Sequence, residues 1–97
     1  MEKGWKKKMI RYLVAGEGSK ELLTAHELNG ILIKLSQKEG VIDCSTIDIR
    51  PHSIDRNKII FTIYVTTSDY FPQTTVKEKL ETFQAIQQVT TITKIKY

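Results

Sequence analysis

The stretch that decides the fold is Lys58–Thr67, with the sequence K-I-I-F-T-I-Y-V-T-T. Its large apolar side chains recur at every second position, which places them on one face of a β-strand. They are Ile59, Phe61, Ile63 and Val65. The other face is more polar but still suited to a strand, and it holds Ile60, Thr62, Tyr64 and Thr66. The pattern predicts an interior strand with one core face and one mixed face.

The composition predicts one small globular domain. The chain has 97 residues, of which 40% are hydrophobic and 27% charged, which is ordinary for a soluble fold. No apolar run approaches the roughly 20 residues that cross a bilayer, and no signal peptide is evident. We therefore expect a location in the cytoplasm or on the cytoplasmic side of a membrane. Cys44 is the one cysteine, so no intrachain disulfide can form.

The basic character is concentrated at the N-terminus. Residues 1–8, M-E-K-G-W-K-K-K, supply +3 of the formal net charge of +4. We interpret them as a basic tail preceding a single domain, residues 9–97. The tail is interpreted as a solubilising extension, as a segment beside a membrane with Trp5 at the interface, or as a phosphate-binding arm. The body carries too little charge for the broad basic face typical of nucleic-acid binding.

The first half of the chain predicts a strand followed by a helix. Met9–Ala15 alternates as a strand, and G-E-G-S at Gly16–Ser19 then predicts a turn. A Gly-x-Gly after a strand can also cradle phosphate, but the third glycine is missing and Glu17 adds a negative charge. Lys20–Leu23 is either an extra helical turn from Ser19 or an extended segment.

The first helix is expected to begin at Thr24, because Thr24 and Glu27 have the spacing of a capping box. Gly40 is placed where a left-handed residue ends a helix, and Gly30 is interpreted as a point of close packing on the sheet. A helical stripe lies between the two ends and consists of Leu28, Ile31, Leu32 and Leu35.

The second half predicts an edge strand, a short helix and a last strand. Val41–Arg50 is polar, as edge strands are, with Ile47 and Ile49 facing inward. A second capping-box spacing at Thr75 and Glu78 begins a helix, and Val89–Tyr97 is β-branched. The stripe of this helix consists of Val76, Leu80, Phe83 and Ile86.

The element order is therefore β-α-β-β-α-β. With right-handed crossovers this order gives an α+β fold, the ferredoxin-like plait, in which a four-stranded antiparallel sheet carries two helices on one face. The first and third strands lie in the middle of such a sheet, in agreement with the apolar character of Lys58–Thr67.

Charged residues around the second-to-third strand connection form a candidate anion site. They are Arg50, His52, Arg56 and Lys58, with Asp55 among them. The alternative interpretation is a solvated hairpin end whose charges pair with one another. His26 and His52 have no ligand-motif spacing, and Cys44 has no evident catalytic partners. We therefore expect no metal, no cofactor and no catalytic residue.

The open face of the predicted sheet is poorly suited to RNA binding. Base stacking needs aromatic side chains on that face, and only Tyr64, and Tyr12 if it faces outward, are candidates because Phe61 is on the core face. The match to a ribonucleoprotein consensus is poor.

From Glu27 to Ile95 the chain resembles ACT domains, small regulatory plaits that sense amino acids or other ligands. The resemblance rests on L-S-Q-K-E-G-V-I-D at Leu35–Asp43, on the apolar third strand and on the ending at Leu80–Ile95. It implies a non-enzymatic regulatory domain that dimerises through a sheet edge or face. It also implies a small ligand near the first loop, where Glu27 takes the position of the family's loop glycine. The expected ligand residues are Gly16, Glu17, Gly18, Ser19 and Glu27.

ACT-like plaits also occur as soluble domains of membrane transporters, which is one expected setting for this chain. The alternative function is a nucleic-acid-binding plait that uses the basic tail and the loop at residues 50–58. An acyl-phosphate or nucleotide hydrolase of the same fold is third, because no acid–base pair or phosphate loop is evident in the sequence.

Overall fold

A computed structural model describes residues 9–68 and 72–95 of the chain. The interpretations of residues 1–8 as a tail concern residues outside this range. The six elements follow the predicted order and are β1 (Met9–Ser19), α1 (Ala25–Ser36), β2 (Val41–Pro51), β3 (Lys58–Ser68), α2 (Gln73–Glu81) and β4 (Ile86–Ile95).

The four strands form one antiparallel sheet in the order β2-β3-β1-β4. This confirms the α+β ferredoxin-like plait and places Lys58–Thr67 in the interior of the sheet, next to β1. The edges are β2 and β4. No helix of the described residues is long and apolar enough to cross a bilayer.

One face of the sheet and both helices enclose the core. Phe61, Ile63 and Val65 of β3 are fully buried, and Tyr12 and Val14 of β1 lie beside them. The predicted stripe of α1 and the buried residues of α2, Val76 and Leu80, belong to the same cluster. The core face of β3 was therefore correctly identified from its alternation.

The start of α1 is confirmed and its end is corrected. The backbone N–H of Glu27 donates to Oγ1 of Thr24 at 3.1 Å, so Thr24 caps the helix. The helix ends at Ser36 with Gln37 as its C-cap, so the predicted C-terminal glycine, Gly40, lies four residues beyond the helix. Gly40 has the positive φ of 90° that favours glycine, but it serves the turn into β2, where its carbonyl accepts from the N–H of Ser68 at 2.9 Å.

One further detail of the α1 region contradicts a prediction, and another decides between two alternatives. Gly30 is not a point of close packing, because a Cβ there would meet nothing within 4 Å. Lys20–Leu23 forms a hydrogen-bonded turn that starts at Ser19, since the N–H of Leu23 donates to the Ser19 carbonyl at 2.7 Å. The extended alternative for this segment is therefore wrong.

The helix α2 begins and ends earlier than its sequence indicates. Its N-cap is Pro72, which offers no side-chain acceptor, so the capping box at Thr75 and Glu78 is not used. The helix ends at Glu81, and Ile86 already opens β4. The apolar stripe continued to Ile86 because a turn and the first residue of a strand both bury side chains in the same core.

The edge strand β2 contains two β-bulges. Its register against β3 shifts between Val41 and Asp43 and again between Thr46 and Asp48, so Ile42 and Ile47 are the extra residues. Ile47 was predicted to face inward and is instead 46% exposed. A bulge shifts the alternation of side chains by one residue, and this shift cannot be read from the sequence of the strand alone.

Candidate functional site

The predicted loop at Gly16–Ser19 is the end of strand β1. These residues pair with β3 on one side, and Gly16 to Gly18 also pair with β4 on the other. The prediction of a turn is therefore wrong, because the backbone groups of this segment lie within the sheet. The two glycines serve close packing instead. A Cβ on Gly18 would lie 2.2 Å from the carbonyl oxygen of Ala85 and 2.7 Å from Cδ2 of Leu23.

The Glu17 carboxylate forms an ion pair with a neighbouring strand of the sheet. It lies 2.8 Å from Nζ of Lys58, on the face of the sheet opposite the helices. The Glu17 side chain is 16% exposed and the Lys58 side chain 36% exposed. The hydrogen bond and the charge of Glu17 both raise the pKa of Lys58. This pair joins one predicted ligand residue to one predicted anion-binding residue and neutralises both.

Two more members of the predicted anion cluster are engaged locally. Nε of Arg50 lies 2.6 Å from Oδ2 of Asp48. Nδ1 of His52 accepts hydrogen bonds from the backbone N–H groups of Ile54 and Asp55, at 3.0 and 2.9 Å. His52 thus shapes the β2–β3 turn. The arrangement agrees more with the solvated hairpin end than with a convergent anion site.

A cavity of about 540 Å³ does bring Ser19 and Arg56 together. It lies where β1 ends beside the β2–β3 turn, and Lys20, Glu21 and Asn57 complete its lining. The N–H of Lys20 donates to the carbonyl of Asn57 at 2.8 Å, which ties the two segments to each other. Glu27, in the first turn of α1, is not part of this lining. The cavity combines a ligand residue and an anion residue that the sequence assigned to separate groups.

The described residues contain no cluster of three or more His, Cys, Asp and Glu side chains that could hold a metal ion. His26 lies in the first turn of α1, as predicted, and His52 in the β2–β3 turn. Burial, and secondarily the charge of Asp43, raises the pKa of the Cys44 thiol to about 12. At neutral pH this thiol is protonated and therefore a poor nucleophile.

The open face of the sheet carries few features suited to base stacking. Arg11 stacks on the ring of Tyr64 at 5.0 Å and its Nε donates to Oγ1 of Thr66 at 3.3 Å. Tyr12, a possible outward-facing aromatic residue from the sequence, is 3% exposed and lies in the core. Its register in the sheet explains this burial, since Tyr12 pairs with the core residue Val65.

The most distinctive surface is the α1/β2 edge, which we define as the exposed side chains of Ile33, Ile42 and Ile47 with the free side of β2. The three isoleucines are 52%, 47% and 46% exposed. A groove of about 350 Å³ runs between helix and strand, and Ile33 and Cys44 contribute to its lining. Among the described strands none pairs with the outer side of β2, so one row of its backbone N–H and C=O groups is available for pairing.

The sequence marks β2 as an edge strand but does not mark the exposed isoleucines of the α1/β2 edge, which are Ile42 and Ile47 on β2 and Ile33 on α1. Ile42 and Ile47 are exposed because they are bulge residues, and no local sequence signal marks them as such. Ile33 could have been found, since it falls outside the helical stripe that begins at Leu28. Comparison of the chain with protein-family models, with curated proteins and with solved structures found no match.

Proposed function

We propose that this chain is a non-enzymatic regulatory domain that works as a homodimer and pairs through the α1/β2 edge. The observation that carries the proposal is the exposure of Ile42 and Ile47 on the edge strand β2 and of Ile33 on the neighbouring helix α1. Large apolar side chains that stay exposed on adjacent elements are a feature of interaction surfaces. A free strand edge adds backbone hydrogen bonds to the apolar contact.

A second copy is the partner that this surface fits best. An edge strand can pair antiparallel with its own copy about a two-fold axis, so one surface supplies both halves of the interface. The unpaired groups of β2 are then satisfied without any other protein. Two bulges and the charged residues Asp43 and Arg50 limit indiscriminate pairing of the edge, as such features do in natural sheets.

The regulatory role is supported by the plait fold and by the resemblance of residues 27–95 to ACT domains. A small ligand is assigned to the cavity between Ser19 and Arg56, since the segment Gly16–Gly18 lies within the sheet. The proposed setting is the cytoplasmic part of a membrane transporter. The tryptophan and three consecutive lysines at residues 5–8 are typical of a segment beside a membrane.

Nucleic-acid binding is the alternative, and the contacts of the loop at residues 50–58 weaken it. Lys58 is paired with Glu17, and Arg50 with Asp48. A titration with single- and double-stranded oligonucleotides at low salt tests it directly. Binding that weakens steeply with salt would support this alternative, whereas a flat titration would exclude it.

Two measurements test the proposed function. Sedimentation equilibrium is expected to show a concentration-dependent mass up to twice the 11.2 kDa of the chain. A thermal-shift screen with amino acids, nucleotides and divalent ions is expected to raise the melting temperature with at least one class. A strictly monomeric chain would contradict the homodimer, and a chain that none of these classes stabilises would contradict ligand sensing.

A further inference from the structure

The bulge at Ile47 divides β2 into two halves whose side chains alternate between the open face and the core face in complementary registers. In the first half Asp43 and Ser45 lie on the open face of the sheet, because they pair with open-face residues of β3. In the second half Asp48 and Arg50 lie on that same face for the same reason. Cys44, between Asp43 and Ser45, and Ile49, between Asp48 and Arg50, face the core. Each half therefore offers the same alternation of faces to an antiparallel neighbour.

These faces match a second copy when Asp43 of one chain stands opposite Arg50 of the other. Ser45 then stands opposite Asp48, and the core-facing Cys44 stands opposite Ile49. The paired segment covers residues 42–51, nearly all of β2. Side chains on matched faces also imply that the free backbone groups of the two edges point at each other. The pairs Asp43–Arg50, Cys44–Ile49 and Ser45–Asp48, each formed twice about the axis, therefore match in face.

The charges favour this register over its neighbours. Asp43 is exposed, and the side chain of Arg50 is 68% exposed, so both are accessible to a second copy. The contact with Asp48 uses Nε of Arg50, and the two Nη groups of the guanidinium can still bind a carboxylate. Cross-strand pairs of opposite charge stabilise a sheet, whereas like charges opposite one another destabilise it.

A shift by two residues loses the match of faces in one direction and the match of charges in the other. In one direction Asp43 stands opposite Asp48, and the open-face Ser45 stands opposite the core-face Thr46. In the other direction Arg50 stands opposite the uncharged Ser45, and the paired segment shortens to residues 44–51. The first shift is unfavourable because it places side chains of different faces, and two aspartates, opposite each other. The second is less favourable because it gives up both Asp43–Arg50 contacts.

We propose that two copies pair antiparallel along β2 about a two-fold axis beside Thr46 and Ile47, with Asp43 of each copy opposite Arg50 of the other. This inference rests on the homodimer proposed above and specifies its register. The exposed Ile47 lies next to the axis and becomes covered by the second copy. The two sheets then join into one continuous sheet.

The test exploits the symmetry of the pair. Asp43→Arg gives a chain with two arginines at the contact, and Arg50→Asp gives a chain with two aspartates. Each variant alone places like charges opposite one another at both ends of the interface. An equal mixture of the two variants restores both opposite-charge contacts in a heterodimer. Lys94→Asp is the matched control, because Lys94 is exposed on β4, at the other edge of the sheet.

Sedimentation equilibrium provides the readout, with circular dichroism to establish that each variant is folded. Each single variant is expected to dimerise about tenfold or more weakly than wild type, since two contacts change from attraction to repulsion. The equal mixture should recover an affinity close to that of wild type, and Lys94→Asp should not change it.

A dimeric wild type whose affinity neither variant changes would overturn the register and leave the homodimer standing. Two weakened variants whose mixture does not recover would overturn it as well, because the loss would then arise from another cause. A monomeric wild type would overturn the proposed homodimer itself.

Discussion

Gly16 lies directly opposite Phe61 in the β1–β3 pair, and the Phe61 ring occupies the space that a side chain at position 16 would need. A Cβ on Gly16 would lie 2.7 Å from Cζ of Phe61 and 2.6 Å from the carbonyl oxygen of Gln88. We expect Gly16→Ala to lower the free energy of unfolding by about 1–3 kcal/mol, because the core would be overpacked. Urea denaturation measures the change.

Gly30→Ala is the matched control for this substitution. Gly30 lies within α1 and a Cβ there would meet nothing within 4 Å. Alanine is a better helix former than glycine by about 1 kcal/mol, so Gly30→Ala should stabilise the fold. A Gly16→Ala chain as stable as wild type would show that the contact with Phe61 is less close than described.

The β2–β3 turn depends on an acceptor atom at His52. Because Nδ1 of His52 accepts from the N–H groups of Ile54 and Asp55, His52→Ala should lower the free energy of unfolding by about 1 kcal/mol. His52→Asn should retain most of the stability, since the amide oxygen of asparagine can take the place of Nδ1. Equal losses in the two variants, measured by thermal unfolding, would contradict this role.

The carboxylate of Glu81 makes the free energy of unfolding depend on pH in the acidic range. The N–H of Val89 donates to Oε2 of Glu81 at 2.9 Å, and Nζ of Lys77 also binds the carboxylate. These two interactions, the backbone hydrogen bond first, lower the pKa of Glu81 below its ordinary value of 4.5. The folded state therefore takes up the proton at lower pH than the unfolded chain, and the stabilisation is complete above pH 4.5 and lost as the pH falls through the folded-state pKa.

The comparison of wild type with Glu81→Gln isolates this effect. The amide oxygen of glutamine can still accept from Val89 but carries no charge. The difference in free energy of unfolding between the two chains should be constant near neutral pH and shrink below pH 4.5 in urea titrations. A difference that stays the same down to pH 3 would mean that the charge of Glu81 is not stabilising.

The Cys44 thiol is expected to be unreactive in the folded chain. With a pKa of about 12, only about one thiol in ten thousand is a thiolate at pH 8, against about a quarter for an ordinary cysteine. Alkylation by iodoacetamide at pH 8 should therefore be slow in the native protein and fast in denaturant. Mass spectrometry over time measures both rates. Comparable rates in the two conditions would contradict the burial of Cys44.

Much of the fold could be predicted because the relevant signals are local. The alternation of Lys58–Thr67 identifies a strand with a core face, and Thr24 with Glu27 identifies the start of α1. The errors arise where a contact distant in sequence determines the local structure. Gly16 and Gly18 suggest a turn by composition, yet they are required by the bulk of Phe61, Leu23 and a neighbouring backbone.

The candidate surface was harder to predict than the fold. That β2 is an edge follows from its polar sequence, but Ile42 and Ile47 are exposed because of bulges fixed by pairing with β3. The anion cluster was predicted from charges that are close in sequence. Three of its four members are engaged with other partners, because strands bring Glu17 to Lys58 and because a turn uses His52.

The central claim is that the α1/β2 edge pairs with a second copy. Sedimentation equilibrium of wild type and of the Ile42→Lys/Ile47→Lys double variant tests it most directly, with Leu22→Lys as a control of matched exposure, since Leu22 and Ile42 are both 47% exposed. We predict that wild type and Leu22→Lys are dimers and that the double variant is a folded monomer. A monomeric wild type, or a double variant that dimerises as wild type does, would contradict the claim.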